Sequence, residues 1–250
     1  IYVDESFQSL AAWLEQLIAE SLGKNGKGLL PLGNAMPAAP STRLARINLG
    51  SSSDHQFWQR IDSVEDPVPS FKIVLDEPED IAGEIFSWSF ATAVAAALIG
   101  VNPFDEPDVS ASKKITRDLL DAQELTTEPT VVPVADLAAT LQSAGSSSYL
   151  ALLNYLPSDP TVNDMLDEFA QSVRDRFGLP VSVNAGPRYL HSTGQLHKGG
   201  PDHGVFLFVY GEPLQDLDIF AEDFGFAALN QAQAMGDCAE LSRIGRSVCW

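Results

Sequence analysis

Basic residues are scarce in this sequence: 15 Lys and Arg stand against 34 Asp and Glu, a formal net charge of −19 at pH 7. A deficit that large excludes a broad basic face, and with it nucleic acid or an anionic membrane as an ordinary partner. Cysteine is nearly absent. Cys238 and Cys249 are too few for a disulfide framework and lack metal-ligand spacing. No Asn-x-Ser/Thr sequon and no secretory leader is visible. The longest apolar run, residues 90–101, is about twelve residues long and is expected to be a buried helix, too short to span a membrane. Internal repeats and low-complexity tracts are also missing. The expectation is a soluble, cytoplasmic chain. It opens on Ile1 and not on Met, so a preceding part is expected to have been removed.

What is present is a core. Apolar residues make up 45% of the 250 and charged ones 20%, which excludes disorder and suits one large domain. Apolar spacing predicts helices over residues 6–21, 77–99, 108–123, 134–142, 160–177 and 224–236. Strands are predicted at 28–32, 44–49, 71–75, 148–156, 179–184, 205–210 and 246–250. A Pro-rich loop is expected at 34–42 and a polar connection at 126–133. The alanine-rich part of the second helix, 91–97, has small residues on every face and is expected to be covered on all sides. Strands separated by helices over the whole length indicate α/β: one doubly wound, mostly parallel sheet with helices on both faces.

Three stretches can carry chemistry. In the run from Ala19 to Gly28 (AESLGKNGKG), Glu20 sits at a helix C-terminus, where the partial negative charge raises a carboxyl pKa and suits a base. The following glycines and lysines can hold an anion, or they simply end a helix with solvated lysines. After the loop from Asn102 to Pro107, Lys113 lies near a helix start. It is either an ordinary helical lysine or a cation for a developing oxyanion. The third stretch, Gly186 to His203, concentrates His191, His197 and His203. Their six-residue spacing spreads them around a helix, which disfavours a metal. A general acid–base histidine and a plain polar loop both remain open.

Taken together, these stretches resemble the C-terminal half of glucose-6-phosphate isomerase. They are most similar to the isomerase portion of bacterial bifunctional transaldolase–phosphoglucose isomerases. The resemblance rests on residues 15–28 (EQLIAESLGKNGKG), on FATAVA at 90–95 with GVNPFD at 100–105, and on RYLHSTGQLHKGGP at 188–201. It implies a sugar-isomerase (SIS)-like three-layer sandwich and exchange of glucose 6-phosphate with fructose 6-phosphate through an enediolate. It makes Glu20 the base between C1 and C2, His191 the residue assisting ring opening, and Lys113 the cation beside the ring oxygen. Glu106 and Gln195 fall at substrate-binding positions, and neither a metal nor an organic cofactor is implied. Glu106 stands where that family usually has Gln, Ser89 where it has an acid, Leu22 where it has Thr, and Phe208 where it has a polar residue. The expected partners are a sugar phosphate, an N-terminal phosphate-binding half absent from this chain, and a second copy in a homo-oligomer. The alternative is a non-catalytic sugar-phosphate-binding or assembly module.

Overall fold

The computed structural model describes residues 1–33, 46–62, 70–122, 131–211 and 215–250. The expected loop at 34–42 lies outside them, as do the first two residues of the strand expected at 44–49, the end of the helix expected at 108–123, and most of the 126–133 connection. Within the described residues every strand pairing is parallel, as the alternation of strands and helices requires.

The strands do not form one sheet, as expected, but two. Strands β1 (Tyr2–Val3), β2 (Arg46–Gly50) and β3 (Ser70–Val74) lie in that order in the first. Strands β4 (Tyr149–Asn154), β5 (Val181–Ala185), β6 (Gly204–Val209) and β7 (Ser247–Cys249) make the second, ordered β5-β4-β6-β7. Each sheet closes a core of its own. Val3 and Leu49 of the first, with Leu75 just after β3, pack with Leu10 and Leu14 of helix α1 (Gln8–Leu22). In the second sheet the pleat sends alternate side chains of β4 to opposite faces. Leu150 and Leu152 meet α5 (Leu137–Ser143) and α6 (Pro160–Phe177), while Ala151 and Leu153 meet α8 (Phe226–Arg243).

Local chemistry explains why several elements stop where they do. Helix α3 (Pro78–Ile99) starts with a capping box between Glu77 and Asp80 and with Pro at its first position, and ends at Gly100 in the left-handed conformation. Helix α6 starts with Asp159 accepting from the Thr161 N–H and ends at left-handed Gly178, with Arg174 and Arg176 in its last turn. The last helix overruns its expected end. Gly236 does not terminate α8, because its missing Cβ is needed elsewhere: an added one would stand 2.6 Å from Thr116 Oγ1 on α4 (Val109–Ala122). It is a close-approach glycine between two packed helices.

Three other expectations are corrected. Residues 28–32 form no strand, since Gly28 has φ +143° and Pro31 has no N–H to offer a ladder. Short α2 (His55–Asp62) was not foreseen. Most consequential, α3 is not covered on all sides. It rests on α1 along one stripe, so only Thr92 and Ala96 are buried, and Phe86, Phe90 and Leu98 are 73%, 65% and 82% exposed. At 22 residues it is also, by length and composition, apolar enough to cross a membrane, unlike the twelve-residue run read from the sequence.

Candidate active site

The end of α1, the loop between α3 and α4, and the Gly/His-rich stretch after β5 converge. The contact is backbone-tight: a Cβ on Gly23, the residue that caps α1, would collide with Leu196 Cα. Leu196 belongs to the short helix α7 (Gly194–Gly199), which follows a 3-10 turn over Arg188–His191.

Glu20 stands on the last turn of α1, half-buried, with its Oε2 accepting from Gln16 Nε2 at 3.2 Å. Burial holds its carboxyl above the ordinary glutamate range, and the adjacent carboxyl of Glu106 pushes the same way; Gln16 and His191 oppose the shift. Glu20 therefore feels both Glu106 and His191, which lie 86 and 171 residues further along the chain. A second carboxyl on the same helix, Glu15, is also raised by burial, against the pull of Arg188 and the N-terminal ammonium. Sequence reasoning missed Glu15. Its only signal was its position one helical turn and a residue before Glu20.

His191 is exposed and lines a cleft of about 450 Å³ together with Lys113, Thr116, Arg117, Lys198 and Gln233. The cleft lies between α4, the 3-10 turn and α8. Lys113 and His191 thus share it, and His191 links it to Glu20, which is not among its lining residues.

Other expected anion contacts are used up inside the chain. Lys24 is 2% exposed, donates to the Asn102 carbonyl at 2.6 Å and pairs with Asp105 at 3.1 Å. Lys27 donates to the Ile99 carbonyl at the end of α3. The glycine–lysine loop is a clamp between α1 and the α3–α4 loop, not an anion cradle. Gln195 is likewise not presented to a ligand. It is fully buried; its Nε2 donates to the Gly23 carbonyl at 3.0 Å and to Asp108 Oδ2 at 2.7 Å, and its Oε1 accepts from the Asp108 N–H. It ties α7 to both neighbouring segments, a positioning role.

Beneath the cleft lies a buried polar group that composition could not reveal. Lys198 Nζ pairs with Asp237 at 2.5 Å, both side chains 1% exposed or less. Asp237 also accepts from Ser112 Oγ at 3.1 Å and from the Tyr189 hydroxyl at 2.6 Å, and Tyr155 donates to Tyr189. The histidines part company. His197 is buried beside Tyr149, and burial, reinforced by Lys198, pushes its pKa down to about 3, so it stays neutral at working pH. His203 is exposed. Among the described residues no three His, Cys, Asp or Glu converge as metal ligands. Burial, with Asp237 adding, pushes the Cys238 thiol up to about 12, so it supplies no thiolate.

No protein-family model matches the chain. It is 28% identical to a glucose-6-phosphate isomerase of Rubrobacter xylanophilus over 46% of this chain and 36% of that protein. It is 26% identical to a probable glucose-6-phosphate isomerase of Methanococcus maripaludis over 50% of this chain and 37% of that one. The similarity to these isomerases is therefore distant and partial, and the matched part spans little more than a third of their lengths. Among solved structures, a hypothetical protein of Thermus thermophilus superposes with a TM-score of 0.38 at 17% identity, covering 81% of this chain and 50% of that one.

Proposed function

We propose that this chain is the C-terminal isomerase domain of an enzyme that interconverts glucose 6-phosphate and fructose 6-phosphate, built as an SIS-like three-layer sandwich and working in the cytoplasm. The observation that carries the reading is the meeting of a base with a raised pKa, Glu20, with His191, which shares one cleft with Lys113. An aldose–ketose exchange needs these types. Glu20 removes the proton from one carbon of the C1–C2 pair and returns it to the other. His191 moves the proton on the ring oxygen, and Lys113 stabilises the enediolate oxygen.

Solvent exchange tests this. With fructose 6-phosphate in deuterated water, the longer enzyme that contains this chain is expected to deliver deuterium to the C1–C2 pair, read by proton NMR. Sugar phosphate that binds without any exchange would sink the reading. It would favour the second one, a non-catalytic binding module. Glu106 motivates that second reading, since a carboxylate beside Glu20 repels an anionic substrate.

The partner proposal rests on α3. Phe86 and Phe90 stack at 6.5 Å on its open face, and with Ile85, Val94 and Leu98 they offer on the order of 500–600 Å² of apolar surface. Two copies facing each other would bury about the minimum a stable interface needs. The acidic first turn and the net charge of −19 speak against an anionic bilayer as the occupant. The chain is expected to self-associate at submillimolar concentration in sedimentation runs, and the double substitution Phe86→Ser, Phe90→Ser to leave it monomeric. A wild-type chain that stays monomeric, or floats with vesicles, would refute this.

A further inference from the structure

We propose that Asp237 is the positioning residue of the cleft: its carboxylate holds the helix that carries Lys113 and the turn that carries His191 at one fixed spacing. What those two side chains do rests on the isomerase reading, whereas the tether between them can be tested without turnover.

Lys113 and His191 stand 78 residues apart in the chain, and both are exposed where they line the cleft. Nothing local fixes one against the other. The residues beside them are anchored instead. Ser112 is buried, and its Oγ donates to Asp237 Oδ1 at 3.1 Å. Tyr189 is buried too, and its hydroxyl donates to Asp237 Oδ2 at 2.6 Å. Adjacent side chains on an α-helix diverge by about 100°, so Ser112 turned in toward α8 leaves Lys113 swung aside to the cleft. Two residues along a 3-10 turn are rotated by about 240°, so Tyr189 turned inward leaves His191 facing away from it. Each oxygen of one carboxylate therefore sets one wall.

Asp237 is itself held. It is fully buried on α8, and Lys198 Nζ of α7 pairs with its Oδ1 at 2.5 Å. Gly236, just before it, lets α4 close in: an added Cβ there would lie 3.1 Å from the Thr116 backbone nitrogen. A buried carboxylate with three donors, one of them charged, cannot turn without stranding one of them. Burial, and then the charge of Asp237, hold the Tyr189 hydroxyl well above the ordinary tyrosine range, so it keeps its proton and remains a donor. A buried ion pair contributes little net stability against an apolar pair of like volume. What an apolar pair lacks is direction, and a misplacement of about 1 Å can cost a reaction a hundredfold in rate. Asp237 is not among the lining residues of the cleft, so it acts through Ser112 and Tyr189.

Tyr189→Phe and Ser112→Ala each cut one tether. Tyr155→Phe is the control, since its hydroxyl donates to Tyr189 and not to Asp237. Proton NMR of the chain reads the His191 imidazole, assigned with His191→Asn. Its resonance is expected to move in Tyr189→Phe and to hold in Tyr155→Phe, although both variants lose a buried hydroxyl and should melt at similar temperatures. In the longer enzyme that contains this chain, kcat is expected to fall about tenfold or more in Tyr189→Phe and in Ser112→Ala, with KM little changed. Tyr155→Phe should turn over like the wild type. A His191 resonance that holds in Tyr189→Phe overturns the proposal, as does an undiminished kcat in Ser112→Ala. A kcat as low in Tyr155→Phe as in Tyr189→Phe also overturns it, because general loosening of the core would then be the cause. A displaced His191 in Tyr189→Phe alone, together with no turnover by the wild-type enzyme, would uphold the tether while sinking the isomerase reading.

Discussion

Replacing Glu20 by Gln is expected to lower solvent exchange and isomerisation by about 10²–10⁴-fold, the range that a positioned general base contributes. Gln keeps the shape and the hydrogen bond to Gln16 but cannot take a proton. The loss should appear in kcat and not in sugar-phosphate affinity. The pH profile gives a second readout. Burial and then Glu106 hold the Glu20 carboxyl above its ordinary range, and only its ionised form accepts a proton. The acid limb of kcat/KM is therefore expected to rise through a value above that of an unperturbed glutamate.

Glu106→Gln removes one cause of the shift and should move that limb to lower pH. Stability runs the opposite way. Between the unfolded and folded pKa values of Glu20 the folded chain binds more protons, so stability falls as pH rises through that window. A neutral Gln removes this penalty, and Glu20→Gln should fold at least as well as the wild type. Undiminished turnover in Glu20→Gln would remove Glu20 from the chemistry.

The largest effect on stability is expected from Asp237→Asn, about 3–5 kcal/mol, or a melting temperature lower on the order of 10 °C. The cause is not a lost attraction. It is Lys198, left charged with 1% of its side chain exposed and no anion to face. Ser112 donates to one carboxylate oxygen and Tyr189 to the other, so Asn keeps an acceptor for only one of them. The one lost hydrogen bond alone would predict a smaller loss, about 1–3 kcal/mol. The double substitution Lys198→Met, Asp237→Leu is expected to recover most of the stability, since an apolar pair needs no desolvated charge. Equal destabilisation by the single and double variants in denaturant titrations would show that the hydrogen bonds dominate instead. Lys198 also lines the cleft, so a swollen or opened cleft in Asp237→Asn should weaken sugar-phosphate binding as well.

How much of this could be read beforehand differs from element to element. Helix α6 was legible to the residue, because Asp159, Pro160 and Gly178 act on the backbone within a few residues of themselves. Strand β4 was legible because it is buried on both faces, and its unbroken apolar run has no other use. That Glu106 and His191 both act on Glu20 was legible only through resemblance to known isomerases, since no local rule relates residues so far apart in the chain. Gln195 shows the limit of that route. The motif marks the position, but its amide is held by Gly23, 172 residues away.

The sequence by itself determined the parallel α/β class, most helix and strand positions, and the three stretches that meet. These follow from side-chain periodicity and from caps, which act over a turn or two of chain. Tertiary structure decided the division into two sheets, the open face of α3 and the partner of each charge. A helix's composition says what its faces contain but not which face finds a neighbour. A lysine's identity likewise says nothing about its partner. Lys24 and Lys198 are neutralised by folding contacts across 81 and 39 residues, whereas Lys113 is left facing a cleft. Such pairing is set by which segments the fold brings together, because an ion pair or a packed helix face depends on distance in space and not on distance along the chain.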